Sequence, residues 1–275
     1  MINICSYKKG PHGPFFILTS LLLLFQSCSL LEKIPFQQNN KNKVNLSSYQ
    51  YMNEDDYLDQ LNYLGKIYLS SPEIQELKLS KDSETYLKSM IDEILITNEI
   101  FLKKKMNPRI HVIISSSPFH FSLPDGSIYL STGLLKKYLN SEGLLAVVVS
   151  MELIRSSKNI YSKSTIIPVG YITTERFLGI LRIPFEEKIE MNKWNYYVLR
   201  RAAYDPENVL NLIQIKNKNT LDFSLQLGDT KMIAREESLF KSFIVKKSVE
   251  KFEKKKINSA KGFYSLGQDL QRVNL

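Results

Sequence analysis

The residues most capable of chemistry lie together in one short stretch, Ser150-Met151-Glu152-Leu153-Ile154-Arg155. They follow Leu144-Leu145-Ala146-Val147-Val148-Val149, whose apolar residues would cover every face of a helix. A helix of that kind is buried on all sides. An acid and a guanidinium directly after it must be paired or belong to a site, because an isolated buried charge is costly. Other sources of chemistry are few. The histidines are His12, His111 and His120, and the cysteines are Cys5 and Cys28. No Gly-rich phosphate loop and no convincing Ser-His-Asp or Cys-His arrangement is visible.

The elements that must position Glu152 and Arg155 follow from periodicity and turn chemistry. Asn140 or Ser141 can cap the buried helix, with Glu142 in its first turn. Upstream, His111 to Ser115 is β-branched and reads as a strand, and Phe119 to Leu123 reads as a second. Pro124-Asp125-Gly126 is a turn in which the glycine takes positive φ. Ser127-Ile128-Tyr129-Leu130-Ser131 alternates polar with apolar, which predicts a half-buried strand broken by Thr132-Gly133. A short helix then starts in Leu134 to Leu139. Tyr57, Leu61, Leu64 and Tyr68 predict a helix with Asp55 and Asp56 at its front, where negative charge suits the macrodipole. Leu87, Ile91 and Ile94 predict another, running towards Lys103. Downstream, Glu186 to Arg201 reads as a helix, with Trp194 in core packing. Asp205 then serves as N-cap and Pro206 as first residue of a helix through Val209, Leu210, Leu212 and Ile213.

The beginning of the chain reads as an export and anchoring segment. Lys8 and Lys9 precede an apolar run from Phe15 to Phe25, and 11 residues are too few to span a bilayer, which needs roughly 20. Ser27-Cys28-Ser29 follows and resembles a bacterial lipoprotein signal. Residues 1–27 are expected to be removed and Cys28 to be lipidated, which leaves a net charge of +7 of the +9. Cys28 would then be the sole cysteine, so no internal disulfide can form. Gln37 to Ser48 is too polar to fold and makes 28–50 a lipid anchor and tether. The domain is expected over 51–275, with helices in 51–105, a core region in 107–207 and basic helices in 208–275. Among the latter, Lys241 to Lys261 carries eight lysines beside an apolar stripe of Phe243, Val245, Val249 and Phe252. It reads as a solvated helix packed on the domain, or as one touching anionic lipid. An exported protein with no recognisable binding fold gives no reason to expect nucleic acid.

The order strand, Leu123-Pro124-Asp125-Gly126, strand, Thr132-Gly133-Leu134-Leu135, buried helix resembles the zinc metallopeptidases of the CAAX prenyl endopeptidase and HtpX-like family. Glu190-Met191-Asn192 and Ala203-Tyr204-Asp205-Pro206 extend the likeness, which covers roughly residues 107–207. It implies an α+β fold, a mostly helical metallopeptidase-like domain with a small β-sheet packed beside the former active-site helix. Family members place two histidines of HExxH on one helix face and add a carboxylate from a second helix to bind Zn²⁺. The resemblance puts Met151, Arg155 and Glu190 at those ligand positions and Glu152 at the general-base position. A thioether is a weak donor for Zn²⁺, and arginine has no lone pair to give.

The implied protein is therefore a catalytically inactive pseudopeptidase without cofactor, lipid-anchored in a bacterial cell envelope on its periplasmic or surface side. It would bind an extended peptide or envelope protein, with Ser127, Ile128, Tyr129, Leu130 and Ser131 as the candidate peptide-binding strand. An active zinc endopeptidase with an atypical site is the alternative, and a purely structural lipoprotein a third reading. Arg155 is expected to occupy the vacated space and pair with Glu190, Glu152 or both, unless it turns to solvent. His111 and His120 read as surface or strand packing. A rearranged site of His120, Glu152 and Glu190 is the other option.

Overall fold

The computed structural model describes residues 53–100, 106–162, 170–247 and 260–273. The signal segment, Cys28 and the tether, together with Val249 and Phe252, lie outside them. The described residues fall in one unit, Gln50–Leu275. The architecture is α+β: mostly helical, with one small mixed sheet.

Helix α1, Glu54–Leu69, begins at Asn53, whose side chain accepts the Asp55 amide, and carries Glu54, Asp55 and Asp56 in its first turn. Helix α2, Lys81–Thr97, is capped by Ser80 and ends short of Lys103. Strands β1 (Arg109–Ile113), β2 (His120–Ser122) and β3 (Ser127–Ser131) form a sheet in the order β1-β3-β2. Strand β3 runs parallel to β1 and antiparallel to β2. The turn between β2 and β3 is closed by Gly126 N–H donating to the Leu123 carbonyl at 2.9 Å, with Gly126 at φ +87°.

Strand β3 is buried along its whole length and is not half-buried, because each face of the sheet has its own core. Ile128 and Leu130 join the larger cluster around the buried helix, and Tyr129 joins the smaller one with Leu61, Tyr68, Phe119, Phe121 and Phe177. The alternation of polar and apolar residues misleads here because both terminal serines work as hydrogen-bonding groups. Ser131 Oγ accepts the Phe119 amide at 2.9 Å and the Leu134 amide at 3.1 Å, the latter capping α3, Thr132–Lys137. Thr132 therefore opens a helix immediately after the strand.

Helix α4, Glu142–Lys158, is capped by Ser141 and is buried continuously from Glu142 to Ser156. It packs on α6 (Phe185–Arg201), α7 (Asn208–Lys218), α2 and strands β2 and β3. The short α5 (Thr174–Ile180) and α8 (Ser224–Leu227) lie against one another. Helix α9, Met232–Lys247, covers α6 and α7, and α10, Lys261–Gln271, covers α2. The α7 start differs from expectation. The helix begins at Asn208, and Asp205 holds the preceding turn by accepting the Glu207 amide at 3.0 Å. Trp194 is not core: it is 40% exposed with the Lys158 ammonium 5.1 Å above its ring. Phe243 packs on Tyr196 and Tyr197, while Val245 is exposed.

Gly133 shows how closely β3, α3 and the segment after β1 are fitted. A Cβ there would stand 2.3 Å from the Ser116 carbonyl oxygen, and this neighbour is backbone. Gly133→Ala is expected to lower stability by about 1–3 kcal/mol, the range for overpacking. Urea denaturation of the two proteins checks this, and equal midpoints would refute the close fit.

Candidate functional site

Strand alternation and helix periodicity together build the site. His120 and Ser122 lie on the face of β2 that meets α4, while Phe121 between them joins the aromatic cluster on the other face. Glu152 of α4 stands opposite. Ser122 Oγ donates to the Glu152 carbonyl at 3.1 Å, which fixes the strand to the helix at this level. The Glu152 side chain then reaches His120, with Oε1 at 2.5 Å from Nδ1. On the far side of the imidazole, Lys216 Nζ of α7 lies 3.0 Å from Nε2.

These contacts define one protonation state. The ammonium has only protons to offer, so it donates to an Nε2 lone pair, and Nδ1–H donates to the carboxylate. His120 is thereby a neutral imidazole between an anion and a cation. Burial, then the Lys216 charge, lower its pKa to about 4, against the pull of Glu152. Burial would raise the Glu152 carboxyl, but the His120 hydrogen bond, Arg155 and Ser122 hold it down to about 2. Burial and the neighbouring Lys188 lower Lys216 to about 8, with Glu236 and Glu152 opposing.

Arg155 is buried one turn further along α4. Its Nη1 stands 3.8 Å from Glu152 Oε2. Its Nη2 donates to the Leu181 carbonyl and its Nε to the Ile160 carbonyl at 3.4 Å. The guanidinium also sits 5.0 Å from the centre of the Tyr161 ring. It ties the chain leaving α4 and the end of α5 to the last turns of α4. Glu190 takes no part: it is exposed and pairs with Lys193 at 2.5 Å. The residues that α6 turns towards the site are Lys188 and Met191. Lys188 Nζ meets the buried Glu236 of α9 at 2.5 Å, and Asn192 Nδ2 donates to the same carboxylate at 2.8 Å.

His120, Glu152, Arg155, Lys188, Met191 and Lys216 line a cavity of about 70 Å³. For Zn²⁺ the residues present do not fit. Of the three implied ligand positions, Met151 offers a thioether, Arg155 a cation and Glu190 a side chain turned to solvent. The imidazole nitrogens are both engaged, and Glu152 is held by His120 and faced by Arg155. A site of His120, Glu152 and Glu190 is equally incompatible with this geometry. Among the described residues no group of three or more His, Cys, Asp and Glu is placed to hold a metal.

His120 is not ordinary strand packing: it meets Glu152, as the rearranged site had it, but with Lys216 in place of Glu190, and the sequence reading missed Lys188, Lys216, Gln226 and Glu236. A signal existed for two of them. Lys216 falls in register with the apolar stripe Val209, Leu212 and Ile213, and Glu236 lies between Ile233 and Phe240 on the buried face of α9. A charged residue in a buried stripe needs a partner. His111 stacks on Tyr129 at 4.9 Å, and its Nδ1 lies 2.7 Å from Glu76. The candidate peptide-binding strand is corrected outright. Strand β3 is central, so both its edges are already paired and an added strand has nowhere to bond. Of the two outer strands, β1 bonds the chain at Gln75 to Leu77, and β2 uses its His120 amide on Gln226 Oε1 at 2.9 Å.

The buried line predicts acid lability. Unfolded His120 takes a proton near 6.5, and folded His120 resists it down to about 4. The unfolded chain binds more protons in that window, so stability falls as pH drops through it. The Glu152 contribution is complete above its usual value of 4.5 and is lost as pH falls towards about 2. Urea midpoints are expected to decline steadily from pH 6.5 to 4, with a shallower decline in His120→Gln. Parallel profiles for the two proteins would contradict the assigned protonation state.

The chain matches no protein-family model, and no curated protein matches it.

Proposed function

We propose that the chain is a lipid-anchored protein of a bacterial cell envelope whose metallopeptidase-like domain is a pseudopeptidase, serving as a peptide- or protein-binding or assembly factor. One observation carries the reading: Lys216 Nζ stands at His120 Nε2, 3.0 Å away, where a metal would have to take the lone pair. A carboxylate, a histidine and a metal in line are a common arrangement of metal centres. Here the third member is an ammonium of the chain itself. Arg155 adds a second fixed cation 3.8 Å from the same carboxylate. Two helices and a strand are thus held together by charges of the chain itself. Support for the likeness also comes from the placement of Glu152 on a fully buried helix that directly follows the β3–α3 unit and faces strand β2.

The anchoring half of the reading stands on Lys8, Lys9, the apolar run and Cys28. Among the described residues no helix is long and apolar enough to cross a membrane. Capture of an extended segment would use a surface other than β3. The competing reading, an active zinc endopeptidase, needs a donor set that the pocket does not offer.

Two measurements test the proposal. The purified full-length chain is expected to carry well under one zinc per molecule and to leave unstructured peptides uncut. One tightly held zinc per chain, with hydrolysis abolished by Glu152→Gln, would overturn the pseudopeptidase reading. Cys28→Ala is expected to abolish incorporation of labelled palmitate and to release the protein from the membrane fraction. Retention of both would reject the lipid anchor.

A further inference from the structure

The charges around the cavity do not balance. Two buried acids are matched, Glu152 by Arg155 and Glu236 by Lys188 and Asn192. Lys216 and Arg182 also line the cavity, and neither has a carboxylate within ion-pair distance among the described residues. Lys216 is 4% exposed, and its ammonium has a neutral imidazole as its hydrogen-bond partner. Three N–H groups radiate from an ammonium, and one acceptor uses one of them. A buried cation with unused donors and no carboxylate in contact, only Glu236 and Glu152 acting from further off, is costly. The Arg182 guanidinium is laid across the backbone of Gly228, where a Cβ would be only 2.2 Å from its central carbon. Gln226, whose Oε1 is taken by the His120 amide, lines the same cavity.

We propose that this cavity is a binding site for a small oxyanion of carboxylate type, held between the Lys216 ammonium and the Arg182 guanidinium. The geometry selects for size and charge. A water needs about 10–15 Å³ of such space, so about 70 Å³ has room for a carboxylate group. A second anion of higher charge would meet Glu152, whose Oε2 has Arg155 as its nearest cation at 3.8 Å. A free small carboxylate and the terminal carboxylate of a peptide share this chemistry. The inference rests on the reading that protein cations fill the site, and its failure is distinguishable. Stoichiometric zinc would sink that reading, whereas a zinc-free protein indifferent to carboxylates would sink the anion site alone.

The test is titration of the full-length chain in detergent with ¹³C-labelled acetate at constant ionic strength, followed by NMR line broadening. Saturable binding to one site is expected, weakened at least tenfold in Arg182→Gln and in Lys216→Met. Arg182 is exposed at the rim, so Arg182→Gln keeps the test valid if Lys216→Met fails to fold. Absence of saturable acetate binding, or equal binding by the wild type and Arg182→Gln, overturns the proposal. A tetrapeptide and its C-terminal amide separate the sources. Displacement of acetate by the free acid alone supports a peptide terminus as the occupant, and saturable acetate binding with no displacement supports a small free carboxylate.

Discussion

A neutral imidazole held between a carboxylate and an ammonium is the interaction on which the rest of the structure turns. His120 comes from β2, Glu152 from α4 and Lys216 from α7, so one line of contacts joins a sheet edge to two helices. Each member is buried, and none could be there alone. A carboxylate in a low-dielectric interior needs donors, and an ammonium needs an acceptor. The imidazole satisfies both at once, because its two nitrogens differ in role. Removal of one member leaves a charge without compensation, which makes the three residues a unit rather than three contributions.

Around that line the fold gives the remaining charges a place. Arg155 sits in the last turns of α4, where a cation suits the helix dipole, and spends its donors on the carbonyls of Leu181 and Ile160. The acid at Glu236 draws Lys188 and Asn192 of α6 towards α9. The outcome is a pocket rich in cations beside a helix that is otherwise apolar. This arrangement stabilises a specific relation of helices, although buried ion pairs add little to stability over apolar packing. Its value lies in registry: α4, α6, α7 and α9 meet in one relative setting.

The two faces of the small sheet explain a second feature. Aromatic rings from α1, β2, β3 and α5 stack on one face, with Phe121 and Tyr129 at 4.5 Å and Tyr68 edge-on to both. The larger aliphatic core, built around α4, fills the other face. A sheet covered on both sides and paired along its central strand has little backbone left to offer a partner. Binding of a partner through this domain therefore depends on side chains and pockets more than on strand addition.

The sequence by itself determined what short-range chemistry can determine. The all-apolar turns from Leu144 to Val149 demanded a buried helix, Asp125-Gly126 demanded a tight turn, and Asp55 and Asp56 marked a helix start. The same logic required Glu152 and Arg155 to be compensated, since charges at the end of a buried helix have no water to lean on. Tertiary structure alone decided the partners. Glu190 and Lys188 lie two residues apart, and only the rotation of α6 against α4 turns one outwards and the other into the pocket. His120 and Lys216 are 96 positions apart, and nothing local in either segment announces their meeting. Ser127 to Ser131 alternates as a half-exposed strand would, yet strands from both sides and cores on both faces enclose it. Periodicity reports which face of an element is apolar, whereas the identity of what packs there is set by long-range contacts that the local pattern does not encode.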